Sequence, residues 1–365
     1  MQLTRLEPDQ KAHAVPSIGR VLTAMASPMV PSADGPVLDL DGAQRLATHL
    51  VDNGNDGVVV AGTTGESPTL THSETLDLFR AVTEAVGDRA RVIAGCGKND
   101  TAATVELVRE ASRLGIAGVM LVTPYYNRPS QRGLREHFLA AASTTDLPVL
   151  LYNIPSRTAC EVAPATLLDL AESAANICGV KDAVGDPVKA GWLISRAPET
   201  FEVWAGDDAT SLPLAAVGAV GVVSVAGHLV GAELTRMYDL LPTDAAAARA
   251  VYLRLLPLIE ALFVEPNPVP LKAALGLLGL PAGPVRLPLA PASEDTIALV
   301  RGVMVTLGLL HADGSAPAQT STPAGSASAG QQPQARAPQA RVPQARAPQA
   351  QVPQAQVPRV QEVRA

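Results

Sequence analysis

The chain has 365 residues, 47% of them hydrophobic but only 3% aromatic, and a formal charge of −7. That supplies a large aliphatic core and rules out a chain disordered throughout, while the acidic balance argues against a general nucleic-acid binder, which needs a basic surface. No apolar run is long enough to span a bilayer, so no membrane association is expected.

Residues 1–17 read as an N-terminal extension. Arg5, Glu7, Asp9, Lys11 and His13 leave no apolar stretch for a secretory signal, which points to the cytoplasm. Cys96, Cys160 and Cys178 are odd in number and lack metal or disulfide spacing, as expected of reduced thiols.

From about residue 20 one pattern recurs: a short β-branched run, a loop rich in Gly, Thr, Ser or Asp, then an amphipathic Ala/Leu/Arg segment. Strands are predicted at 21–25, 57–61, 91–94, 118–122, 149–152, 177–181, 201–205 and 220–225. Helices are predicted among others at 73–86, 102–114, 133–143 and 164–173. Such spacing over residues 18–244 fits an α/β chain folded as a (β/α)8 TIM barrel, although the count alone leaves an open doubly wound sheet possible. A barrel predicts that polar residues collect at the C-terminal ends of its strands. Thr63, Thr64, Tyr125, Tyr126, Tyr152, Lys181, Gly206, Asp207 and Ser224 lie there.

After about residue 245 the strand signals stop, and segments 245–263, 270–278 and 294–310 read as a small C-terminal α-helical domain at 245–311, with proline-rich breaks. From residue 312 to 365 the composition shifts to a Pro/Gln/Ala/Arg near-repeat, as in Pro333-Gln334-Ala335-Arg336-Ala337. Proline at every fifth position with few large apolar residues predicts a disordered tail. Its arginines make it mildly basic, which reads either as a docking element for an acidic partner or as a solvated extension with no catalytic role.

Lys181 closes the run Ile177-Cys178-Gly179-Val180-Lys181-Asp182, where an apolar strand ends on an amine. An ammonium pushed into an apolar setting tends to lose its proton, the condition for attacking a ketone; the plainer alternative is a lysine that snorkels to water. Lys98 is the rival, but it sits on a Gly-rich loop beside Asp100, where it is expected to stay hydrated. Gly179, Val180 and the barrel interior are expected to desolvate Lys181. Tyr152, in Tyr152-Asn153-Ile154-Pro155-Ser156-Arg157-Thr158, would neighbour that amine and offers a phenolic proton, and Arg157 offers a planar fork for a carboxylate. The loop Gly62-Thr63-Thr64-Gly65-Glu66-Ser67 follows the second strand; its glycines permit a tight turn, and two hydroxyls at a helix start suit a small anion, though a capped turn would look the same. His72, His137 and His228 show no metal-ligand spacing, and no nucleotide motif stands in strand–helix context, so no metal and no cofactor are expected.

Four motifs in order, GTTGES at 62–67, TPYYNRPS at 123–130, LYNIPSRT at 151–158 and GVKDA at 179–183, make residues 18–310 resemble the dihydrodipicolinate synthase family of pyruvate-dependent Schiff-base lyases. The resemblance implies a homotetrameric barrel enzyme whose substrates are pyruvate and L-aspartate 4-semialdehyde. It implies that Lys181 forms the imine and that Tyr152, Thr63 and Tyr126 form a proton relay, with Tyr126 reaching in from a neighbouring subunit. By the same resemblance Thr64 and the Val223 backbone hold the pyruvate carboxylate, Gly206 borders the pocket, and Arg157 grips the semialdehyde carboxylate. Sister lyases acting on N-acetylneuraminate or keto-deoxy sugar acids share the loop, tyrosine and lysine but generally lack that arginine. A non-catalytic barrel scaffold is the remaining alternative, against which the intact Lys181, Tyr152, Thr63 and Tyr126 weigh. In lysine-inhibited members a subunit-interface site binds lysine, and Ser67, His72, Asn99 and Tyr125 would fit it. Thr75 and Ala103 depart from a histidine and an acidic residue often found there, and Ala226-Gly227-His228 departs from the commoner Ala-Asn ending.

Overall fold

The computed structural model describes residues 18–316. The expectations for residues 1–17, and for the tail from 317 onward, lie outside the described residues.

Eight parallel strands close into a barrel: β1 (Val21–Ala24), β4 (Gly57–Val60), β5 (Arg91–Gly95), β6 (Gly118–Val122), β7 (Val149–Asn153), β8 (Ile177–Asp182), β9 (Glu202–Ala205) and β10 (Gly221–Ser224). The remaining two, β2 (Met29–Val30) and β3 (Val37–Leu38), form an antiparallel hairpin outside it. Around the barrel run α1 (Leu40–Asp52), α2 (His72–Val86), α3 (Thr101–Ala111), α4 (Gln131–Ala142), α5 (Pro155–Thr158), α6 (Pro164–Ser173), α7 (Pro187–Ile194), α8 (Ser211–Ala215) and α9 (Gly227–Leu240). Then come α10 (Ala245–Ala261), α11 (Val269–Leu277) and α12 (Glu294–Thr306), which share one compact unit with the barrel. The open-sheet alternative is thereby excluded.

Helix starts follow from local chemistry. Asp39, Asp100, Ser130, Asp186, Asp244 and Ser293 each accept a first-turn backbone N–H, and Thr71 with Glu74 forms a reciprocal capping box on α2.

Strand alternation makes two cores. Val58, Val60, Val92, Ala94, Val119, Leu121, Val180, Val203 and Val222 face the helices, whereas Leu22, Val59, Ile93, Met120, Leu150, Trp204 and Val223 fill the barrel interior. Trp204, fully buried, donates its indole N–H to the Gly19 carbonyl at 2.9 Å and helps seat the chain entering β1. No helix among the described residues is long and apolar enough to cross a membrane.

Candidate active site

On β7 and β8 the inward positions near the C-terminal end are Tyr152 and Lys181, which pair directly in the register. Both are only 4% exposed, and Lys181 Nζ lies 4.1 Å from the centroid of the Tyr152 ring. Amine and phenol are therefore neighbours in the buried interior rather than side chains reaching for the surface, which disposes of the snorkelling alternative. The Tyr152 carbonyl takes hydrogen bonds from the backbone N–H and Oγ1 of Thr123, both at 2.9 Å, which fixes the strand end that carries the phenol.

Desolvation of Lys181 does not come from Val180, whose side chain belongs to the outer core. Gly179 acts by what it lacks. A Cβ there would run into the Glu202 carbonyl and stand 2.8 Å from the Trp204 ring, so glycine lets β8 and β9 close tightly below the amine. Lys98 is also less hydrated than expected: it is half-buried, and burial lowers its pKa. It nevertheless lies three residues beyond the end of β5, off the strand positions that face the interior.

The loop after β4 carries Thr63, half-buried, and Thr64, 2% exposed. Two expectations for this loop need correction. Its hydroxyls are not at a helix N-terminus, because a single 3-10 turn (Ser67–Thr69) intervenes and α2 starts only after Thr71. The left-handed backbone falls on Ala61 (φ 52°) and Glu66 (φ 54°) rather than on the glycines; Gly65 is needed instead for close approach, since a Cβ would stand 3.1 Å from Ala61 Cα and the Met25 carbonyl.

The segment after residue 244 holds this loop. Glu66, 2% exposed, pairs with Lys272 Nζ at 2.5 Å and accepts the Arg286 N–H at 2.9 Å. Removing either charge alone would strand the other in the interior, a cost of about 3–5 kcal/mol. Asn267 Nδ2 donates to Thr64 Oγ1 at 2.9 Å. Arg286 forks onto both Glu74 oxygens and also donates to the Thr69 and Pro36 carbonyls.

On β10, two strands from both β4 and β8, Val223 is 1% exposed and faces inward, but Ser224 faces outward, contrary to its expected place at the barrel mouth. Ser224 donates to Asp208 and accepts the Gly227 N–H. Asp208 Oδ2 also accepts the N–H groups of Val225 and Ala226, at 2.8 and 3.1 Å, so a buried carboxylate ties down the turn following Val223. Burial pushes its pKa up, and those donors pull it back. A Cβ on Gly206 would stand 2.8 Å from that of Ala183, which keeps this rim low.

Arg157 lies in the short helix α5, one residue before its end, and is exposed to solvent. Tyr126 is 90% exposed, on a left-handed backbone (φ 73°), and does not join Tyr152 and Thr63 within one chain. Asp208, Asn267 and Lys272 escaped sequence reasoning. Only the Asp207-Asp208 pair beside Gly206 offered any local signal.

Among the described residues no group of His, Cys, Asp and Glu could hold a metal ion. A cleft of about 410 Å³ lined by Asp56, Arg89, Arg91 and Ala117 opens at the opposite, N-terminal end of the strands and is unrelated to this chemistry.

The model of the dihydrodipicolinate synthetase family matches residues 17–304. The 4-hydroxy-tetrahydrodipicolinate synthase of Moorella thermoacetica is 55% identical over 293 residues, 80% of this chain and 99% of the relative. The synthase of the same name from Symbiobacterium thermophilum is 50% identical, over 81% of this chain and all of the relative. A crystal structure of the Cyanidioschyzon merolae enzyme with lysine bound superposes with a TM-score of 0.78 at 43% identity, over 81% of this chain and all of that one.

Proposed function

The chain belongs to the dihydrodipicolinate synthetase family, and on that premise we propose that it is a Schiff-base-forming lyase that condenses pyruvate with L-aspartate 4-semialdehyde. The product is 4-hydroxy-tetrahydrodipicolinate, on the route to diaminopimelate and lysine. The observation that carries this reading is the buried Lys181 amine against the Tyr152 ring on neighbouring strands.

Lys181 Nζ attacks the keto carbon of pyruvate, and loss of water gives an imine that serves as an electron sink. A methyl proton leaves to give the enamine, whose carbon attacks the aldehyde. Tyr152, relayed through Thr63 and through Tyr126 of a neighbouring subunit, moves the protons these steps require. The amine of the second substrate then attacks the former keto carbon and releases Lys181, closing the ring. Because the chain's own lysine supplies the electron sink, the reaction calls on no cofactor. Thr64 and the Val223 backbone hold the pyruvate carboxylate, with Gly206 at the rim. Arg157, free in solvent, is available to fork onto the carboxylate of the incoming aldehyde.

The exposed Tyr126 supports a homo-oligomer, for which we propose the tetramer, and a biosynthetic enzyme with these substrates belongs in the cytoplasm. A screen of aldehydes with pyruvate tests the assignment: turnover is expected to favour aspartate semialdehyde, and preference for a sugar aldehyde would overturn it.

A further inference from the structure

We propose that Asn267 is a positioning residue that turns the Thr64 hydroxyl proton toward the substrate carboxylate. The inference rests on Thr64 as a carboxylate ligand, the reading given above. Asn267 and Thr64 stand 203 residues apart in the chain, are 6% and 2% exposed, and meet through Asn267 Nδ2 donating to Thr64 Oγ1 at 2.9 Å.

A hydroxyl has one proton and two lone pairs. With one lone pair engaged by the amide, the Thr64 proton must point elsewhere, and no other side-chain hydrogen bond of Thr64 takes it among the described residues. The hydroxyl thus presents a donor to an anionic oxygen, the strong charge-assisted arrangement. The reverse geometry, Thr64 donating to an acceptor at 267, would leave only lone pairs facing the carboxylate and repel it.

Asn267 Oδ1 is buried without a partner among the described residues. The amide stands with its nitrogen toward Thr64 Oγ1, and the exchange of that nitrogen for oxygen in Asn267→Asp tests this orientation directly. The turn carrying Asn267 is itself anchored: Val269 N–H bonds the Pro266 carbonyl at 2.9 Å, and Lys272 reaches Glu66 on the loop that holds Thr64.

The test is steady-state kinetics of Asn267→Ala, Asn267→Asp and Thr64→Val and their pairwise combinations. Losing a hydrogen bond to a charged group is expected to raise the pyruvate KM about tenfold to a hundredfold in Thr64→Val. Asn267→Ala should raise pyruvate KM with kcat little changed, as for an interaction made equally in ground and transition states. Asn267→Asp, though isosteric, is an acceptor that captures the Thr64 proton and should raise KM more than Asn267→Ala. In the Thr64→Val background neither change should matter further.

Protonating the introduced aspartate restores a donor, so the Asp variant should recover pyruvate affinity on acidification relative to wild type. The Glu66–Lys272 pair is common to both proteins, so wild type is the control. Should Asn267→Asp fail to fold, Asn267→Ser combined with Thr64→Val gives the same cycle. A pyruvate KM within about twofold of wild type, or an Asp variant milder than Ala as a packing role demands, overturns the inference while leaving the Lys181 chemistry intact. Unchanged KM in Thr64→Val would instead remove the reading of Thr64, and the inference with it.

Discussion

Lys181 is neighboured by a phenol, a glycine and an indole: Tyr152 beside it in register, Gly179 two residues before it, and Trp204 paired with it on β9. The gap left by Gly179 admits the Trp204 ring, so Gly179→Ala is expected to disturb the site through packing rather than through charge. Arg157 permits a cleaner prediction because it is exposed. Arg157→Ala should raise the KM for aspartate semialdehyde by about tenfold to a hundredfold, the loss of a charge-assisted pair, with pyruvate KM nearly unchanged. Equal effects on both substrates would contradict the assignment. Lys181, Tyr152 and Arg157 were legible in the sequence because each sits inside a short contiguous motif at a strand end. Asn267 was not, because its only link to the site spans 203 residues and depends on a tertiary approach.

At the scale of elements, the turn from β10 into α9 is held by two buried titratable groups, Asp208 and His228. His228 Nε2 accepts the Ala26 N–H at 3.0 Å, and its Nδ1–H donates to the Val225 carbonyl at 2.8 Å, an arrangement that requires the neutral ring. Burial lowers its pKa from 6.5 to about 4. The unfolded chain therefore binds a proton that the folded one refuses, so this site's share of stability is present above pH 6.5 and is lost as pH falls from there toward about 4. His228→Asn can keep the bond to the Val225 carbonyl through its amide nitrogen and does not titrate. Its melting temperature is expected to fall less than wild type's between pH 7 and 5; an identical acid slope would contradict this. Barrel strands were legible to within about a residue, as at Gly118–Val122, because β-branched runs alternate with polar loops. The hairpin of β2 and β3 was not, since each strand has only two residues and leaves no periodicity to read.

At the scale of the molecule, a barrel that carries the chemistry is braced by the segment after residue 244, which grips the threonine loop through Asn267, Lys272 and Arg286. That bracing was invisible in the sequence, where 245–311 showed only helical periodicity. Tyr126 raises the matter of assembly. Co-expressing Lys181→Ala chains with Tyr126→Phe chains should restore activity well above either alone, because a mixed pair contains a site with both native groups. No recovery would show that Tyr126 acts in its own chain or not at all. Every proposed site residue lies between 63 and 267, so ending the chain at Ala316 is expected to leave turnover unchanged, and its loss would favour a functional role for the tail. The central claim, that Lys181 is the imine-forming amine, is tested most directly by borohydride reduction in the presence of pyruvate followed by peptide mass analysis. The account predicts a reduced pyruvate adduct on Lys181 alone, abolished by Lys181→Ala; an adduct on Lys98 instead, or none, would contradict it.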